Sequence, residues 1–185
     1  MSESMNAFLS KESISMHKEY LKSQSLKYSI LEKSVPRIKG YDMNSIYTMS
    51  ISRDVKEEAI RLKKEIYLHE CYFDSFSYNS LVSKAVNAYY SSDADFRYRL
   101  FRMACERDSG FVCISLDKRG VPIIYAESKS NGTLFKADPV LALDICEHSY
   151  FFDYGFNREE YFKRAISYLN LSKLDNMSLD NSKQK

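Results

Sequence analysis

Asp144-Ile-Cys-Glu-His-Ser-Tyr-Phe-Phe-Asp-Tyr154 is the stretch on which the reading of this chain turns. Asp144 and His148 stand four residues apart, so they share one surface if the stretch is helical. If Leu141 to Asp144 is a strand instead, Asp144 is delivered to its end. The chain has three histidines, His17, His69 and His148, and each falls on what reads as the apolar face of a helix. A lone imidazole on such a face is more often a core residue bonded to its neighbours than a ligand. Three neutral imidazoles and one carboxylate together suit iron, manganese or zinc. Spacing alone does not bring His17 and His69 to the other two.

Upstream, from about Lys11 to Lys33, Ile14, His17, Leu21, Tyr28 and Leu31 recur at helical intervals, interrupted by Gln24. Residues 35–52, with Pro36 and Gly40, read as a loop or short helical turn. Asp54 with Glu57 resembles a capping box, and Val55, Ala59, Leu62, Ile66, His69 and Phe73 then form the cleanest helical stripe. Glu65 lies one turn before His69 on that face. A buried carboxylate without partners costs several kcal/mol, so either the helix end is open to solvent or Glu65 faces a polar site. A third helix spans roughly Asp93 to Arg107. Phe111 to Leu116 and Val121 to Ala126 are β-prone runs joined by Asp117-Lys118-Arg119-Gly120, a hairpin signal. A final helix carries Tyr161, Phe162, Ala165, Ile166 and Leu169. The polar tail is expected to lack order.

The chain of 185 residues is 44% apolar with a net charge of +2, which points to a folded globule and excludes a strongly basic nucleic-acid binder. No run approaches the ~20 apolar residues that span a bilayer, and the first residues carry no export signal. A soluble, cytoplasmic protein without membrane or nucleic-acid partners is expected. Cys71, Cys105, Cys113 and Cys146 form no CxxC pair and read as reduced thiols. The N-x-[ST] triplets at Asn131, Asn170 and Asn176 carry little weight in that setting.

The stretch 144–154 resembles the D-x-W-E-H-A-Y-Y-x-D-Y signature of the iron and manganese superoxide dismutases. The likeness continues through Asn157, Arg158 and Tyr161 (N-x-R-x-x-Y), His69-Glu-Cys-Tyr-Phe73 (N-H-x-x-Y/F-W), Asp108 to Ile114 (G-S-G-W-x-W-L) and Ser10 to His17 (S-x-E-T-x-x-Y/F-H). It covers about residues 5–172. The resemblance implies an α+β fold: an N-terminal helical hairpin (1–90), then a three-stranded antiparallel sheet flanked by helices (91–172), with the tail at 173–185. It implies metal ligands His17, His69, Asp144 and His148, one Fe or Mn ion per chain, superoxide as substrate, and a homodimer in which Glu147 crosses the interface.

Departures surround the ligands. The family carries a His four and a gateway Tyr eight residues after its first ligand, where ungapped counting gives Leu21 and Ser25; Tyr20 or Tyr28 takes the place only by a shift. Phe151 replaces the Tyr that bonds the partner's gateway His. The active-site Gln falls at Glu65 or near Ser128, so Ser25 and Glu65 stand at catalytic positions. Phe73, Phe111, Cys113 and Cys146 stand where the family has tryptophans, and this chain has none. Three readings follow: a divergent dismutase, a metalloprotein turned to other oxygen chemistry, and a metal-free structural module.

Overall fold

The computed structural model describes residues 3–78, 82–129 and 131–182. Ser10 Oγ accepts the Ser13 N–H at 3.1 Å and starts α1, Lys11–Ser34. Val35 stops it, because the following Pro36 disfavours helical backbone in the residue before it. A 3-10 turn, Pro36–Ile38, and α2, Met43–Thr48, fill the connection, and α3 runs from Arg53 to Asp74. His17 meets His69 and Tyr28 packs with Ala59 to Leu62, so α1 and α3 run antiparallel as a hairpin. The expected capping box does not form. The helix starts one residue before Asp54, and Glu57 instead accepts from Arg53 Nε at 2.6 Å one turn away.

Two helices follow, α4 (Lys84–Tyr89) and α5 (Asp93–Cys105). The sheet comprises β1 (Phe111–Leu116), β2 (Pro122–Glu127) and β3 (Leu141–Asp144) in the order β2-β1-β3, all antiparallel. Asp117 Oδ1 accepts the N–H groups of Arg119 and Val121 at 2.8 and 2.9 Å and closes the hairpin at the expected turn. Phe111 stands opposite both Glu127 and Asp144, so those three side chains share one face at one end of the sheet. The chain then enters α6 (Glu147–Tyr154), α7 (Arg158–Ser167) and α8 (Lys173–Ser182).

The expected architecture is present: an α+β fold of helical hairpin and flanked three-stranded sheet. The main core joins both parts. Met5, Phe8, Leu68, Tyr72 and Phe76 pack in one cluster with Val112, Ile114, Leu143, Phe162 and Ile166. The tail corrects its expectation, since α8 occupies most of it. Leu174 is fully buried, and Asp175 accepts from Ser83 Oγ and the N–H groups of Lys84 and Ala85 at 2.8–3.0 Å, capping the start of α4. Its polar composition concealed one anchoring leucine and one capping carboxylate. Residues 183–185 lie outside the described ones. No helix among the described residues is long and apolar enough to cross a membrane.

Candidate metal centre

Four side chains from three regions of the chain converge at the end of the sheet. His17 comes from α1, His69 from α3, Asp144 from the last position of β3 and His148 from the first turn of α6. One ligand atom from each lies within 4.8 Å of all the others. Asp144 and His148 do not share a helix. The strand ends, Cys146 N donates to Asp144 Oδ1 at 2.8 Å, and the resulting turn brings His148 Nε2 to 3.0 Å from Asp144 Oδ2. His17 Nε2 and His69 Nε2 lie 3.1 and 3.5 Å from that same oxygen.

Hydrogen bonds around the cluster fix its members. His69 Nδ1 lies 2.7 Å from the Glu65 carbonyl, which can only accept, so Nδ1 carries the proton and Nε2 presents its lone pair inward. Tyr161 Oη donates to the Asp144 carbonyl at 3.0 Å and meets Tyr72 Oη at 3.1 Å. Gly110 supports the turn from behind. Its N–H points at Cys146 Sγ at 3.2 Å, its carbonyl accepts from Ile145 N at 3.0 Å, and its φ of +107° is one that side chains rarely adopt. A Cβ there would also strike the Glu127 carbonyl.

Burial divides the four: His17, His69 and Asp144 are at most 1% exposed, whereas the His148 side chain retains 22%. Burial pushes the His17 pKa below its ordinary 6.5, outweighing the neighbouring Asp144 carboxylate. Burial alone would raise Asp144, but His148 and His17 beside it hold its pKa well below the carboxylate range. Asp144 Oδ2 and both His17 ring nitrogens are buried without a hydrogen-bond partner among the described residues. Oδ2 lies within 3.5 Å of a ring nitrogen of each of the three imidazoles. A buried carboxylate oxygen with imidazole nitrogens this close to it is an arrangement that a cation would satisfy. The four shorter spacings, 3.0–3.5 Å, match donors placed at about 2.0–2.2 Å around one small ion, and the wider ones, up to 4.8 Å, would close slightly around it. The residues therefore fit a bound metal.

The wall differs from a simple count along α1. Ser25 is exposed, and its short side chain donates back to the Leu21 carbonyl of its own helix at 3.1 Å rather than entering the site. Tyr20 stands in the site instead. Its ring stacks on His148 at 4.2 Å and tilts against His69 at 5.3 Å, and its hydroxyl donates to Glu65 Oε1 at 2.5 Å. Burial and the Glu65 carboxylate push the Tyr20 pKa up. Tyr28 packs in the hairpin-tip cluster. Glu65 is buried and satisfied: Arg61 Nη1 donates to Oε2 at 2.9 Å. Of the two alternatives for Glu65, the polar site is the one found. Phe73 and Phe111 close the apolar side, with ring centroids 5.0 Å from His17 and 5.1 Å from His69. Ser128 is exposed just beyond β2. Glu147 and Phe151 are exposed on α6. The four cysteines are free.

Residues 78–177, more than half of the chain, match the model of the C-terminal domain of iron/manganese superoxide dismutases. Over 114 residues the chain is 30% identical to an iron superoxide dismutase of Cupriavidus metallidurans, a match covering 58% of each chain. Over 60 residues it is 33% identical to a manganese superoxide dismutase of Halobacterium salinarum, covering 31% of this chain and 30% of that one. The matched stretches thus span little more than half of the first relative's length and under a third of the second's. With the fold, the ligand cluster and the matched domain in agreement, the chain belongs to the iron/manganese superoxide dismutase family.

Proposed function

We propose that the protein is a superoxide dismutase that holds one iron or manganese ion on His17, His69, Asp144 and His148. The observation that carries this reading is the convergence of three imidazoles on Asp144 Oδ2, a buried oxygen with no hydrogen-bond donor among the described residues. The reaction takes two superoxide ions and two protons to dioxygen and hydrogen peroxide. A bound redox ion would accept an electron from one superoxide and return it to the next. The chain's part is to set charge, access and proton positions. Three neutral imidazoles and one carboxylate leave net charge +1 around a divalent ion and +2 around a trivalent one, which favours a small anion. Phe73, Phe111 and Tyr72 exclude water from the buried side. Tyr20 keeps a hydroxyl proton beside the open ligand, bonded to Glu65, and we assign catalytic roles to this pair.

Self-association into a homodimer is part of the proposal. Phe151, Phe152 and Phe156 are 47%, 61% and 95% exposed beside Glu147, an aromatic surface suited to a second copy. Free thiols fit a reducing compartment, and we place the protein in the cytoplasm.

A second reading, other oxygen chemistry at the same ion, is favoured by the changed wall: Leu21, Ser25 and Phe151 stand where the family carries its gateway groups. Elemental analysis and superoxide consumption on one purified sample decide between them. Full Fe or Mn with rapid dismutation supports the first. Full metal with negligible dismutation selects the second. A sample that stays empty after reconstitution overturns both and leaves a structural module.

A further inference from the structure

Among the four ligands only His148 is open to solvent, and the Tyr20 ring covers one face of it, so an incoming ion passes that edge. Lys129 reaches the same place from the other part of the fold. Its Nζ stands 5.9 Å from the centre of the Tyr20 ring. The side chain is half-buried, and no carboxylate among the described residues forms an ion pair with it. A cation held in such a place without a counter-ion leaves its field for the entrance.

The position of Lys129 is imposed by anchors on both sides. Before it, Glu127 Oε2 forms a 2.5 Å ion pair with Lys64 of α3, the two side chains being 5% and 1% exposed. After it, Lys64 Nζ also donates to Asn131 Oδ1 at 3.0 Å and to the Thr133 carbonyl at 3.4 Å, and lies 5.3 Å from the centre of the Phe135 ring. At Gly132 the chain rests directly on the backbone of Glu57, where a Cβ has no room. One buried lysine thus ties the segment that follows β2 along α3.

We propose that Lys129 is the anion-gathering residue of the metal centre, held at its mouth by the Lys64–Glu127 pair and drawing small anions past Tyr20 and His148. This rests on the metal-binding reading above. Lys129 is a positioning residue, acting on the approach of the anion by its charge.

The test uses the metal-loaded protein, assayed for metal first, with azide titrated against the optical spectrum of the bound ion. At about 10 mM ionic strength, where charges act over ~30 Å, Lys129→Gln is expected to weaken azide binding about three- to tenfold. The difference should vanish near 1 M salt, where the range falls to ~3 Å. Lys129→Arg should bind azide like the unaltered protein. Lys118→Gln, the same charge change on the exposed β1–β2 turn, should have no effect. Unaltered affinity in Lys129→Gln, or an equal loss in Lys118→Gln, overturns the proposal. So does loss of metal from Lys129→Gln, which would give the residue a role in holding the site. Unaltered protein that takes up no metal overturns the metal reading itself, an outcome read before any azide is added.

Discussion

In a fully buried position the Asp144 pKa is held well below the carboxylate range by His148 and His17 beside it, and Oδ1 accepts the Cys146 N–H. Asp144→Asn keeps the shape but removes the charge. Metal affinity should fall by more than the ~10–100-fold typical of altering a ligand's supporting partner, measured by chelator competition. Tyr161→Phe leaves the Tyr72 hydroxyl without its buried partner and removes the nearer of two side-chain donors to the Asp144 carbonyl, Ser149 Oγ remaining at 3.2 Å. The expected cost is about 1–3 kcal/mol, read from the urea midpoint. The metal-free protein should also be acid-sensitive. The folded state holds His17 below its ordinary pKa of 6.5, so below pH 6.5 the unfolded chain takes up the proton first and stability drops. The slope approaches about 1.4 kcal/mol per pH unit. Equal urea midpoints at pH 7.5 and 5.5 in chelator-stripped protein would contradict this. The cluster was legible because every histidine of the chain falls on a signature position. Tyr20 was not, because a ring three residues after His17 occupies a place that counting assigns to Ser25. Only the three-dimensional meeting of α1 with α6 distinguishes them.

Among the elements, α3 carries the greatest functional load. It supplies His69, the carbonyl that orients it, Glu65 and the buried Lys64. Its apolar stripe and the strands of the hairpin were readable from period and turn residues. The Lys64–Glu127 pair was not, since nothing local marks which lysine of a charged helix turns inward. Lys64→Met should cost about 3–5 kcal/mol, because Glu127 is left as an unpaired buried carboxylate. Adding Glu127→Leu should recover most of that loss. If the double variant is no more stable than the single one by urea denaturation, the pair is not what sets the cost. Gly132→Ala should destabilise independently, by pushing the segment after β2 off the Glu57 backbone.

In the whole molecule, the two expected parts lean on each other. Phe8 and Phe76 pack among residues of the C-terminal half, Ser10 N donates to Asp153 Oδ2 at 2.7 Å, and Arg164 reaches the Ala7 carbonyl at 2.6 Å. A fragment of residues 91–185 alone should therefore lack the dispersed amide spectrum of a folded domain. The proposed dimer makes its own prediction. Phe152→Asp places a charge in the exposed aromatic surface and should halve the mass seen by light scattering while metal content stays full. The tail showed the limit of composition as a guide: buried Leu174 and the Asp175 carboxylate, which caps α4 across the fold, hold it in place. The spread of the four proposed ligands along the chain also bears on synthesis. A nascent chain leaving the ribosome presents His17 and His69 long before Asp144 and His148, and two imidazoles without the carboxylate are a poor trap. Asp144 gains its place only when β3 pairs with β1. On the proposed metal-binding reading the ion would be chosen by the finished fold, from whatever the surrounding pool offers at that moment, rather than captured during translation.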